Sequence, residues 1–255
     1  MQTGAITAYI DVAQLALYAF WIFFAGLIFY LHRENKREGY PLENERSGRV
    51  RVQGFPSIPS PKTFLLPHGG TFSAPNDKRD TRTLNARPVG PWLGAPLEPM
   101  GDPMLAEVGP GAYAERADTP DLTVDGQPKI VPLRRATGFA LAANDPDPRG
   151  MPVVGGDGNV AGKVTDVWVD TSETLIRYFE ADVNGRKVLI PNTFAKISTG
   201  RNAAITVRSI HARHFQNVPG TRSPDQITFL EEEKIAAYYG AGTLYADPDR
   251  AEPFL

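Results

Sequence analysis

Carboxylates collect in one short stretch of this chain: Asp166, Asp170 and Glu173, with Lys163 and Arg177 beside them. Asp166, Trp168 and Asp170 recur every second residue, so a strand here turns them to one face and Val167 and Val169 to the other. Acids grouped beside apolar side chains raise one another's proton affinity, and a carboxyl that titrates near neutrality suits proton relay. The same residues on a wetted barrel face, paired with local cations, make an ordinary ion network. Residue types alone leave both readings open.

Other chemistry is sparse. The chain has no cysteine, which removes disulfides, thiolate metal sites and cysteine nucleophiles. Of four histidines, only His211 and His214 are close in sequence, and their spacing reads as a polar helix face or turn. Asp145, Asp147 and Asp157 lack the spacing to a bidentate glutamate that a calcium loop needs. No P-loop, dinucleotide fingerprint, G-x-S-x-G elbow or H-E-x-x-H occurs, and no nucleophile, base and orienting group come as a set. A net charge of -2, from 27 basic and 29 acidic residues, gives no basic footprint for nucleic acid.

The elements that must position the acids begin with a membrane segment. Val12–Leu31 reads VAQLALYAFWIFFAGLIFYL, with Gln14 its one strongly polar side chain. Twenty residues at about 1.5 Å each span roughly 30 Å, the thickness of a bilayer's hydrocarbon core. Asp11 stands at the N-cap position. Tyr9 and Tyr30 mark the two interfaces, and Ala16, Ala19 and Gly26 place small residues near one face, where another helix can approach. No Lys or Arg precedes the span, whereas Arg33, Lys36 and Arg37 follow it, so the N-terminus is expected outside and the bulk in the cytoplasm. A cleaved signal would need a basic n-region and a small-residue cleavage site, and both are missing.

Eighteen of the 23 prolines lie between Pro41 and Pro152, which predicts little regular structure there. Phe55, Phe64, Leu65, Leu66, Phe72, Trp92 and Tyr113 are spread through that stretch, and apolar anchors on an irregular chain favour a segment draped over another protein. Further on, strands are expected at 161–170, 175–183 and 186–191, the last two joined by Asn184-Gly185. Phe194–Ser198 and Ala203–Ile210 add two more around a turn at 200–202, together a small β-barrel or sandwich. Phe229–Gly240 reads as a helix, with Gly240 or Gly242 as its stop. The expected organisation is therefore a tail (1–11), a transmembrane helix (12–31), an extended Pro/Gly-rich segment (32–133), a mainly-β cytoplasmic domain with a short C-terminal helix (134–246) and a loose tail (247–255).

Several passages together resemble a known family. The run FWIFFAGLIFYLHRENKREGYPLENE (Phe20–Glu45), PKTFLLPHG (Pro61–Gly69), MGDPM (Met100–Met104), VGPGAY (Val108–Tyr113), AGKVTDVWVD (Ala161–Asp170) and FLEEEKIAAYYGAGTLYA (Phe229–Ala246) are similar, in collinear order, to the H subunit of purple-bacterial photosynthetic reaction centres. The β-rich part resembles the PRC-barrel domain. The resemblance implies a non-catalytic subunit in a bacterial inner or intracytoplasmic membrane. Its helix packs beside the pigment-bearing subunits L and M, and its cytoplasmic domain caps their quinone side and carries part of the proton route to the secondary quinone. Bacteriochlorophyll, bacteriopheophytin, quinones, non-haem iron and a carotenoid are then held by L and M, with none bound by this chain alone. Antenna-ring subunits and lipids are further possible neighbours.

The family's proton-route glutamate falls on Glu173, with Asp170 and Arg177 in the same neighbourhood. Some members carry two histidines where this chain has Gly126 and Pro128, so Asp121 or Asp125 is left to collect protons at the surface. The competing reading is a membrane-tethered PRC-barrel adaptor in an unrelated pathway, against which the match upstream of the barrel counts.

Overall fold

The computed structural model describes residues 4, 6–7, 10–43, 51–76, 78 and 80–251, and Tyr9 lies outside them. The chain divides into two compact units, residues 1–79 and 80–255.

The first unit is built on helix α1 (Val12–Glu34). Asp11 and Gln14 close a capping box: the Asp11 carboxylate accepts from the Gln14 amide at 2.7 Å, and the Gln14 side chain accepts from the Asp11 amide at 3.3 Å. None of the helix residues is buried, and the helix is long and apolar enough to cross a membrane, as a lipid-facing span requires. Tyr30 and Arg33 are exposed on it.

The other two cations of the interface set turn inward. Lys36 is 3% exposed and donates to the carbonyls of Gln53 and Pro56, both at 2.6 Å, with the Tyr40 ring 5.1 Å from its ammonium. Arg37 pairs with Glu34 and donates to the carbonyls of Ser60 and Ala74 at 2.8 and 3.0 Å. These bonds tie the helix end to the chain that follows, where β1 (Leu42–Glu43) pairs with β2 (Arg51–Val52) and β3 (Lys62–Leu65) with β4 (Thr71–Ala74). Phe55 rests against Phe29 of the helix, ring centres 5.9 Å apart, yet is 84% exposed, and Leu65 is 85% exposed.

The second unit begins with a hairpin, β5 (Ala86–Pro88) with β6 (Leu97–Pro99), that leaves Trp92, Leu93 and Leu97 exposed. The seven remaining strands form one sheet. They are β7 (Ile130–Pro132), β8 (Pro152–Gly155), β9 (Val160–Asp170), β10 (Leu175–Val183), β11 (Arg186–Pro191), β12 (Ala195–Ser198) and β13 (Ala204–Val207). Their order is β11-β10-β9-β8-β13-β12, with β7 also on β9. All pairs are antiparallel except β8 with β13, which run parallel. Between β10 and β11 the turn is Asn184-Gly185, both at positive φ (54° and 82°), the conformation a two-residue hairpin demands.

The sheet curls around Val153, Val167, Phe179, Ile190 and Ile205, all fully buried or within 1% of it. Helix α2 (Phe229–Tyr245) packs Ile235, Tyr238 and Tyr239 onto this core, started by a capping box between Thr228 and Glu231. It runs straight through the two glycines expected to stop it. A Cβ on Gly240 would stand 2.5 Å from the Pro110 carbonyl oxygen, and one on Gly242 2.5 Å from that of Ser209. These glycines let neighbouring backbone approach the helix. Past it, residues 248–250 of the expected tail form a 3-10 turn held by Arg250, and residues 252–255 lie outside the described residues.

Candidate proton-transfer site

The expected acidic constellation is split in two. Pairing of β7 with β9 sets Ile130 opposite Asp170 and so brings Lys129, one residue earlier, to the end of β9. Beyond Asp170 the chain turns back through 171–174, with Thr174 at φ 58°. Asp170 caps this turn from inside: its Oδ1 accepts from the amides of Ser172 and Glu173, each at 2.9 Å. Asp170 is fully buried, and its Oδ2 has no hydrogen-bond partner among the described residues. The nearest cation to that oxygen is the Lys129 ammonium, at 3.5 Å.

Lys129 gathers two further acids. Glu173 Oε1 accepts from it at 3.3 Å, and Asp121 Oδ2 lies 3.6 Å away. Asp121 is placed by a small loop: its carbonyl accepts from the Lys129 amide at 2.8 Å, and residues 123–127 form the tip. Burial works against the charge on Lys129, but the Glu173 hydrogen bond and the charges of Asp170 and Asp121 prevail and hold its pKa above the ordinary lysine value. The result is one cation facing three carboxylates, of which one is buried and two reach solvent.

Asp125 stands apart. It is exposed at the loop tip beside Val124, itself 98% exposed, and its side chain makes no hydrogen bond or ion pair among the described residues. Arg177 lies on β10 where the register with β9 shifts, a bulge of the kind that re-aims a side chain. Its charge acts on Tyr178 and Glu232. The Tyr178 hydroxyl donates to Glu232 Oε2 at 2.8 Å. Burial pushes the Glu232 carboxyl up from its usual range, over the opposing pull of Tyr178, Arg177 and Arg116, and the Asp121 charge adds to the rise. Sequence reasoning missed both Lys129 and Glu232.

Asp166, grouped with Asp170 by its spacing, belongs to a different network. β9 is buried on both faces from Asp166 to Asp170, so alternation there does not separate a wet side from a dry one. Asp166 Oδ2 accepts from Arg134 at 3.0 Å, and the same guanidinium nitrogen donates to Glu180 Oε2 at 2.9 Å. Glu180, 2% exposed, also accepts from Lys187 (2.6 Å), Trp168 Nε1 (3.0 Å) and Thr165 (3.0 Å). Burial raises its pKa, but these four donors outweigh burial and hold the carboxyl at about 2. Both acids line a cavity of about 700 Å³ with Leu133, Phe139 and Leu141. Lys163, exposed on β9, joins neither cluster. His211 and His214 stack at 5.5 Å in a 3-10 turn, and among the described residues no three His, Asp or Glu side chains are grouped to hold a metal.

Two family models match the chain. The model described as the N-terminal region of the photosynthetic reaction-centre H chain covers residues 4–135, and that of the PRC-barrel domain covers residues 143–212. The first takes in the membrane helix and the loop that carries Asp121 and Lys129, and the second takes in β9, with Asp170, and the turn bearing Glu173. Since residues 4–135 are just over half of its length, the chain belongs to the family of photosynthetic reaction-centre H chains, with a PRC-barrel domain behind the matched region.

Proposed function

We propose that this H chain caps the cytoplasmic quinone side of the L and M subunits and carries part of the proton route to the secondary quinone. Association with L and M follows from the family, whose members are non-catalytic subunits of the complex. The pigments, quinones and iron then belong to those subunits. Phe55 and Leu65 in the first unit, and Trp92 and Leu93 in the second, are large apolar side chains left in the open, and such patches mark surfaces that a partner covers.

The observation that carries the proton reading is Asp170: a fully buried carboxylate with one free oxygen, linked through Lys129 to two carboxylates that reach solvent. Asp121 and Glu173 collect protons, Lys129 keeps the group from repelling itself, and Asp170 accepts them away from water. Glu232, its carboxyl raised by burial, serves as a second store beside Asp121. Asp125, exposed at the loop tip, acts as an outer collector, and Arg177 tunes Glu232.

The test is flash-induced turnover of the secondary quinone in the assembled complex. Glu173→Gln and Asp170→Asn each keep shape and lose the ionisable group. Both should slow the proton-coupled second reduction by about tenfold or more, while primary charge separation, which occurs among pigments in L and M, is unchanged. Turnover equal to wild type across neutral pH in both variants would sink the proposal.

Orientation is tested separately. With Arg33, Lys36 and Arg37 on the cytoplasmic side, protease added to sealed inside-out vesicles should digest the chain beyond Arg33 and spare the span. Digestion confined to right-side-out cells would reverse the topology.

A further inference from the structure

The outer face of β12 and β13 carries positive charge that the proton cluster does not use. Lys196 on β12 is directly across from Thr206 on β13, and Arg208 follows two residues later. Arg250 reaches over from the turn after α2. Its Nη1 donates to the carbonyls of Ser209 (2.8 Å) and Gly242 (2.7 Å), and its Nη2 to that of Arg208 (3.0 Å). Together with Thr193, Ser209 and Thr243, these residues line an open cavity of about 530 Å³.

No aspartate or glutamate lines this cavity, so three cations share it without a carboxylate. Lys196 and Arg208 are exposed, and their side chains make no hydrogen bond or ion pair among the described residues. Arg250 is satisfied by carbonyls alone, which fix its position and leave its charge uncancelled. Cations gathered on neighbouring strand positions repel one another unless something negative lies between them. Ser209 adds an independent sign. It is 8% exposed, and its hydroxyl shares with Asp170 Oδ2 the distinction of being buried without a partner among the described residues. Buried polar atoms are rarely left so, and an unmet one asks for a ligand or water.

We infer that this cavity binds the phosphate group of a ligand. Arg and Lys supply charge-assisted donors to phosphate oxygens, and hydroxyls fill the remaining lone pairs. A tetrahedral dianion uses several donors on different sides, which is what the side chains of two strands and the turn bearing Arg250 together provide. A soluble phosphomonoester and a phospholipid headgroup share this chemistry.

The experiment is titration calorimetry on the full chain in a nonionic detergent, at neutral pH and constant ionic strength. Inorganic phosphate should bind saturably, and Lys196→Gln combined with Arg208→Gln should weaken it by about tenfold or more. Ser209→Ala should weaken it by about threefold with no change in unfolding temperature. Arg135→Gln, whose guanidinium lies away from this cavity and pairs with Asp225 at 3.4 Å, should leave it unaltered. Glycerol 3-phosphate and dihexanoyl phosphatidylglycerol below its micelle concentration then separate the sources. Tighter binding of the first assigns a soluble ester, and of the second a headgroup. Affinity unchanged in the double variant, or no saturation by phosphate up to concentrations on the order of 10 mM, overturns the site.

Discussion

Glu180→Gln is expected to destabilise the β domain by about 3 kcal/mol, because it removes the buried carboxylate that the half-exposed Arg134 and Lys187 both pair with and leaves them a neutral amide. Glutamine preserves the shape and still offers Trp168 Nε1 an oxygen, so the loss is the loss of charge pairing. The pH dependence gives a second signature. In the folded chain Glu180 titrates at about 2, below its unfolded value. Its contribution is therefore complete above the unfolded pKa, and it fades as pH falls from about 5 towards 2. Thermal unfolding of wild type and variant should differ most near neutrality and converge in acid. Curves that run parallel, or a difference below about 1 kcal/mol at neutral pH, would show that the network is not stabilising.

Lys129→Met is expected to cost about as much, roughly 3 kcal/mol, by a different route. The variant keeps most of the aliphatic stem and removes the one ammonium that Asp121, Asp170 and Glu173 share. Asp170 suffers most, being fully buried with its Oδ2 already short of a donor. Lys129→Arg should recover most of the loss, since it restores the charge. Denaturant unfolding of the three proteins decides the matter, and an arginine variant as weak as the methionine one would mean that stem packing, not charge, is what Lys129 supplies.

Parts of this architecture are legible in the residues alone. The strand at 175–183 and its return at 186–191 are plain because alternation flanks Asn184-Gly185, and both strands occupy those residues. The membrane helix and its Asp11 cap are equally legible from hydropathy and a single side chain. The site is harder. Local crowding points to Glu173 and Asp170, but Lys129 lies far away in sequence and arrives through β7, a strand of three residues that is too short to show a period. Glu180 does leave a trace, an acid set directly between Phe179 and Ala181, and Arg134 leaves none. Spacing misplaces Asp166 because alternation sorts residues between core and water, and β9 has core on both sides.

The inward-turned Lys36 and Arg37 have a mechanical consequence. The apolar stretch of helix α1, Val12–Leu31, is about 30 Å long at 1.5 Å per residue and matches a hydrocarbon core, so the last turn of the helix stands beyond it. Its C-terminal end is welded to the carbonyls of Gln53, Pro56, Ser60 and Ala74 by four hydrogen bonds between 2.6 and 3.0 Å. The helix and the β3–β4 hairpin are thus held as one piece. Any tilt of the helix in the bilayer would carry the hairpin with it, so a change in lipid thickness would be felt beyond the membrane surface.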